Sequence, residues 1–245
     1  MSLALFVVFF ATGLRTPLLA LLALRRLRNV AQVALPYAPG LLLIPLVAPL
    51  LTEPDRVGLV AVAMAPGLLS APALATAMGG RMDRAGALLV GTIGASFILT
   101  LLRGGAGTGA LQNAMFAFIL GAGVTSLVPM LPEMARTTVQ RAGDIGFSAL
   151  LLIAIAGGPS LGAAAALAAV ALFVATAGTA LLVARIAGVD TRSAIAASGT
   201  RDPAVAAALA VAVGGPGAAG VPLYSAALLL ALGALLVALN RRKAR

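Results

Sequence analysis

The chain of 245 residues has no cysteine, no histidine and no tryptophan, and only seven acidic residues. Without cysteine or histidine there is no thiolate or imidazole metal site, no haem or iron–sulfur ligation, no disulfide and no Ser-His or Cys-His nucleophile pair. Only one acid, Asp202, falls inside an apolar run, so the paired carboxylates of acid/base hydrolysis are missing, as is any GxxxxGK[ST] phosphate loop. An enzyme is therefore not expected. The net charge of +10 does not point to nucleic acid, because the bases are scattered among short segments and the only aromatics are two tyrosines and eight phenylalanines.

What remains is apolar. Hydrophobic side chains make up 61% of the chain and charged ones 10%, too little polar surface to wrap a water-soluble globule. The charges cluster between long apolar runs, the pattern of loops and membrane spans. An all-α polytopic membrane protein follows.

With ~20 apolar residues needed per crossing, nine spans are expected. They are Met1 to Leu14, Val30 to Leu51, Gly58 to Gly79, Gly86 to Leu102, Ala110 to Met130, Ile145 to Ala156, Leu161 to Val183, Arg192 to Val213 and Ala218 to Leu239. A short stretch from Thr16 to Leu27, ending among Arg25, Arg26 and Arg28, follows the first, and Gly157-Gly158-Pro159-Ser160 turns the chain between the sixth and seventh. The first run is not read as a signal peptide, since it lacks a charged leading region and a small-residue cleavage site. With the N-terminus outside, the inner segments hold fourteen Lys and Arg and the outer loops only Arg56 and Arg103. That imbalance obeys the positive-inside rule and places the C-terminus in the cytoplasm.

Two spans are interrupted at membrane depth, one by Ala65-Pro66-Gly67 and Ala71-Pro72, the other by Ser198-Gly199-Thr200-Arg201-Asp202-Pro203. Each proline removes a donor and strains the preceding turn, freeing backbone groups that lipid cannot satisfy. Pro36, Pro39, Pro45 and Pro49 in the second span are read as plain kinks. The two broken spans are the third and eighth, five apart, so the halves match as five-helix units with the leading helix of the first half missing: residues 1–109 and 110–245. Inverted repeats of this kind bring broken helices together at the midplane, where freed amides and carbonyls bind substrate and ions.

Arg201 and Asp202 sit side by side in the second break, where a charge costs at least ~2.5 kcal/mol. In one reading they neutralise each other and hold the crossing together. In the other, Arg201 receives an anionic substrate group while Asp202 binds a cation or cycles a proton. Ser70, Thr76, Thr92, Ser96, Gln112, Asn113, Thr125 and Ser126 are further polar residues in spans, and of these Gln112-Asn113 carry amides that are costly to bury unpaired.

At these residues the chain resembles the bile acid:sodium symporter family. Phe10-Ala11-Thr12-Gly13-Leu14-Arg15 is similar to that family's glycine-leucine helix end. Ala65-Pro66-Gly67 to Gly80, with Asp83 to Thr92 after it, resembles its first crossing helix and the next span, and Ser198-Gly199-Thr200-Arg201-Asp202-Pro203 with the alanine-rich run to Ala210 resembles its second. The likeness extends over nearly the whole chain and implies the nine-helix form, two inverted repeats forming panel and core domains, and sodium-driven uptake of an organic anion by alternating access. The sodium positions are degenerate: the family's Ser-Asn pair falls on Ala71-Pro72 and its Glu on Ala197. Oxygens left nearby belong to Ser70, Thr92, Ser198, Thr200 and Asp202, with Asp202 the principal remaining cation or proton site. Substrate contacts are expected at Pro66, Gly67, Ser198, Gly199, Thr200 and Arg201. Related arsenite permeases use a cysteine that this chain lacks.

The expected function is thus secondary transport of a small organic anion, bile-acid-like or another carboxylate, with no cofactor unless a coupling sodium ion. The alternatives are a transport-inactive structural or regulatory subunit that has kept the fold, and a passive channel. The expected setting is the bilayer of a bacterial inner membrane, and the oligomeric state is left open.

Overall fold

The computed structural model describes residues 2–14, 26–103, 108–127, 138, 161–229 and 231. Among them the chain is helical, with no strand. Helix α1 (Ser2–Leu14) precedes α2 (Leu27–Ala34) and α3 (Ala38–Val47), then α4 (Glu53–Met64), α5 (Ala71–Ala77), α6 (Met82–Leu102) and α7 (Thr108–Leu127). Next come α8 (Ala163–Ile186), α9 (Thr191–Ala194) with a π-helical turn Ile195–Gly199, α10 (Pro203–Gly214), and α11 over 220–229. Residues 1, 15–25, 104–107, 128–137, 139–160, 230 and 232–245 lie outside the described residues, and with them the expected span Ile145 to Ala156 and the turn that follows it.

Among the described residues, three helices are long and apolar enough to cross a membrane: Leu27–Leu50, Met82–Leu102 and Ala163–Ile186. Their outward faces carry exposed Leu41, Leu42, Leu46, Leu167, Val174 and Leu182, and Leu102 is 79% exposed. In water such a belt would aggregate. In lipid it costs nothing, which marks an all-helical, membrane-embedded protein.

The run Leu27–Leu50 stays continuous through its prolines by tightening into 3-10 turns at Leu35–Tyr37 and Ala48–Leu50. Pro39 has no N–H for the Leu35 carbonyl, which accepts from Ala38 instead. Helix α4 starts on a Thr52 N-cap accepting from the Asp55 amide, with Pro54 in its first turn and Glu53 and Asp55 facing the positive end of the dipole. Helices α1 and α7 cross closely because glycines meet backbone there: a Cβ on Gly13 would lie 2.2 Å from the Phe118 carbonyl, and one on Gly121 2.3 Å from that of Phe10. Packing at such crossings is the main attraction between helices in lipid.

The two broken spans run past each other. Helix α4 comes in from the end bearing Arg56, breaks over 65–70, and continues as α5 to the opposite end; α9 and its π turn come from that opposite end, break over 200–202, and continue as α10. Consequently α4 packs on α10, where a Cβ on Gly214 would meet Val57, and α5 packs on the π turn. A clasp ties α5 to α9: Asp190 and the Ser193 hydroxyl accept from the Arg81 amide, both at 2.9 Å, and Arg192 donates to the Gly79 carbonyl at 3.0 Å.

Candidate functional site

Where the breaks meet, Gly67 and Arg201 form an antiparallel β-bridge. The Asp202 amide donates to the Pro66 carbonyl at 2.9 Å. Gly67 is the only residue type that fits, since a Cβ there would stand 1.7 Å from the Ala197 carbonyl oxygen.

Every backbone group freed by the breaks for which a partner is described is served from within the protein, as a low-dielectric setting demands. The Gly67 amide donates to the Thr92 hydroxyl oxygen at 2.9 Å, and Thr92 in turn donates to the Leu89 carbonyl. Ser96 donates to the Met64 carbonyl at the end of α4. Tyr37 donates to the Thr92 carbonyl at 2.8 Å, with the Ala65 carbonyl at 3.4 Å. In the second break the Thr200 hydroxyl donates to the Ala196 carbonyl at 2.7 Å and Ser198 donates to that of Ala194 at 2.8 Å.

Arg201 and Asp202 do not pair with each other; extended backbone sends their side chains to different partners. The fully buried Asp202 carboxylate is the N-cap of α10, its Oδ1 accepting from the Ala204 and Val205 amides at 3.0 Å each, while Oδ2 accepts the Leu69 amide from the first break at 3.0 Å. One carboxylate thus sits at the positive ends of both inner half-helices, α5 and α10. Arg201 is 5% exposed. Its Nη2 donates to the Pro36 carbonyl at 2.8 Å, and the guanidinium carbon lies 3.7 Å from the centre of the Tyr37 ring, a cation–π contact. Its Nη1 is buried with no hydrogen-bond partner among the described residues. One turn away on α2, the buried Gln32 donates to the Ala180 carbonyl at 2.9 Å and contacts the Ser198 hydroxyl at 3.4 Å, leaving Oε1 equally unpartnered.

The crossing therefore gathers Pro66, Gly67, Thr92, Ser198, Gly199, Thr200, Arg201 and Asp202. Gly199 packs there against α8, where a Cβ would stand 3.1 Å from that of Ala180. Ser70 is exposed and makes no cap bond to α5, and Gln112 and Asn113 are exposed near the start of α7. Three participants went unanticipated: Gln32, Tyr37 and the Pro36 carbonyl, all from the span read as merely kinked. Gln32 and Tyr37 as rare polar residues in that run were the available signal. A hard cation at the crossing would draw on Asp202 and on lone pairs of the Thr92, Ser198 and Thr200 hydroxyls, whose protons already go to carbonyls; this donor set is thin for a site that wants several oxygens.

At the end reached by α5 and α9, burial pushes the Asp190 carboxyl up, but hydrogen bonds from Ser193 and from the amides of Arg81, Arg192 and Ser193 outweigh it and leave the group below its ordinary value.

No protein-family model matches the chain, and no curated protein matches it.

Proposed function

We propose that the protein is a secondary active transporter of a small organic anion, working by alternating access. The observation that carries this is the Arg201 Nη1, a buried cationic donor beside two helix breaks with no acceptor among the described residues. Leaving such a group unpaired costs about 1–3 kcal/mol or more, which a carboxylate ligand would recover. In this reading nine spans form inverted repeats over 1–109 and 110–245, with the N-terminus out and the C-terminus in the cytoplasm of a bacterial inner membrane. Cation coupling, by sodium as the resemblance implies or by a proton, runs through Asp202.

The test is uptake by proteoliposomes across a panel of carboxylates, amines and neutral solutes, with imposed sodium or pH gradients. Accumulation of a carboxylate against its gradient, abolished by Arg201→Gln, is expected, with ion dependence altered in Asp202→Asn. Equal preference for neutral or cationic solutes, or equilibration without accumulation, would overturn the reading, the latter in favour of a channel. One observation favours a second reading, a transport-inactive membrane subunit: Asp202 is fully employed as a cap and tie between half-helices. Failure of the stable, purified protein to move any solute would select it.

A further inference from the structure

A cavity of about 470 Å³ opens between α3, α4, α6 and α10, at the end of the molecule opposite the Asp190 clasp. Its walls are apolar, with Ile44, Val60, Met64 and Leu209, and both charged residues in its lining, Arg56 and Arg103, are cationic. A second cavity of about 210 Å³ shares Ile44, Met64 and Arg103 with the first and extends to Tyr37. Among the described residues, no acidic one lines either. The nearest carboxylates in sequence, Glu53 and Asp55, lie outside the lining, and Asp55 is held by the Thr52 hydroxyl at 2.8 Å.

From these placements we infer that the two cavities form one binding site for an amphipathic organic monoanion, its carboxylate held at Arg56 and Arg103 and its apolar body seated against Ile44, Val60 and Met64. The volume is of the order that takes drug-sized ligands. Two guanidiniums, each able to grip a carboxylate through two N–H groups, belong to exposed residues in the lining of an otherwise largely apolar cavity. The inner end stops at the Tyr37 ring, whose opposite role is to carry the Arg201 guanidinium, so the site is an antechamber to the crossing. The inference rests on the transport reading for its purpose but not for its binding step. Arg56 and Arg103, counted in the sequence only as the sparse charge of the outer loops, are here given a specific role.

The experiment is equilibrium binding of 4-phenylbutyrate, with its neutral amide as control, to the full chain in phosphatidylcholine nanodiscs. Saturable binding of the carboxylate, at least tenfold weaker for the amide, is expected. Arg103→Gln and Arg56→Gln should each weaken it about tenfold; both side chains are exposed, so the fold is not at stake. Val60→Phe, which fills the chamber and leaves the charges, should abolish it. Undiminished binding in the double arginine variant, or equal binding of the amide, would overturn the inference. So would nanodiscs with phosphatidylglycerol in which that lipid, and not the free carboxylate, is retained in an arginine-dependent way. Arginine-dependent binding without uptake would leave this site standing and remove the transport reading.

Discussion

The contact on which the molecule turns is that between Gly67 and Ala197, and Gly67→Ala addresses it with one methyl group. The added carbon would stand 1.7 Å from the Ala197 carbonyl oxygen, against a floor of 3.0 Å for real contacts. The two segments must therefore separate by more than an ångström. Two bonds span this joint, from the Asp202 amide to the Pro66 carbonyl at 2.9 Å and from the Leu69 amide to Asp202 at 3.0 Å, and such a displacement carries both beyond hydrogen-bonding range. Each buried bond so broken costs about 1–3 kcal/mol, and the two together give a loss of roughly 2–6 kcal/mol. For a chain of this size that lowers the melting temperature by roughly 5–20 °C. The assay is thermal loss of the helical circular-dichroism signal in detergent, since the chain offers neither tryptophan fluorescence nor cysteine for a thiol dye. Gly94→Ala in α6 is the control: nothing lies within 4 Å of its Cβ, so the change should be neutral or stabilise by up to about 1 kcal/mol. A Gly67→Ala protein that melts with the wild type would refute the bridge.

Thr92→Val keeps the shape but strips the acceptor from the Gly67 amide, and should destabilise by about 1–3 kcal/mol in the same assay, with Thr92→Ser close to wild type. Gln32→Met removes the Nε2 donor to the Ala180 carbonyl together with an Oε1 that has no described donor, and should cost about 1 kcal/mol of stability while lowering carboxylate uptake; a loss of several kcal/mol with uptake unchanged would show instead that the amide is only a structural tie. Because Asp190 is held below the ordinary carboxylate range, its stabilisation is fully present above about pH 4 and fades as pH falls through the depressed native value. Acid titration of the melting temperature should show that fall in the wild type and lose it in Asp190→Asn; identical acid limbs would refute the clasp.

The breaks were legible because proline and glycine at membrane depth leave few alternatives: a span that reads Ala65-Pro66-Gly67 cannot keep its ladder, and lipid offers no substitute partner. That the freed groups satisfy one another follows from the same physics, but which side chains complete the set does not. The Pro36 carbonyl meets Arg201 across 165 residues of chain, with the Tyr37 ring beside it, and nothing local to α2 or α3 records that distance. The prolines there invited a purely mechanical reading, whereas the 3-10 turn at Leu35–Tyr37 leaves a carbonyl free to accept a guanidinium.

Asp202 is the opposite case, where a local signal in the sequence competes with a global one. Asp followed by Pro and an alanine run is the pattern of a helix N-terminus, with an oxygen for the first amides and a proline where no donor is needed. Weighed as an intramembrane charge, the residue suggested ion binding; weighed as a cap, it explains both Oδ1 contacts without any ion. The two roles separate at Oδ2, which reaches out of its own helix to the Leu69 amide. A cap needs only Oδ1. The reach of Oδ2 to the other break makes any change in its charge felt at both half-helices together, and this is the place where coupling between an ion and the movement of two broken spans has a physical route.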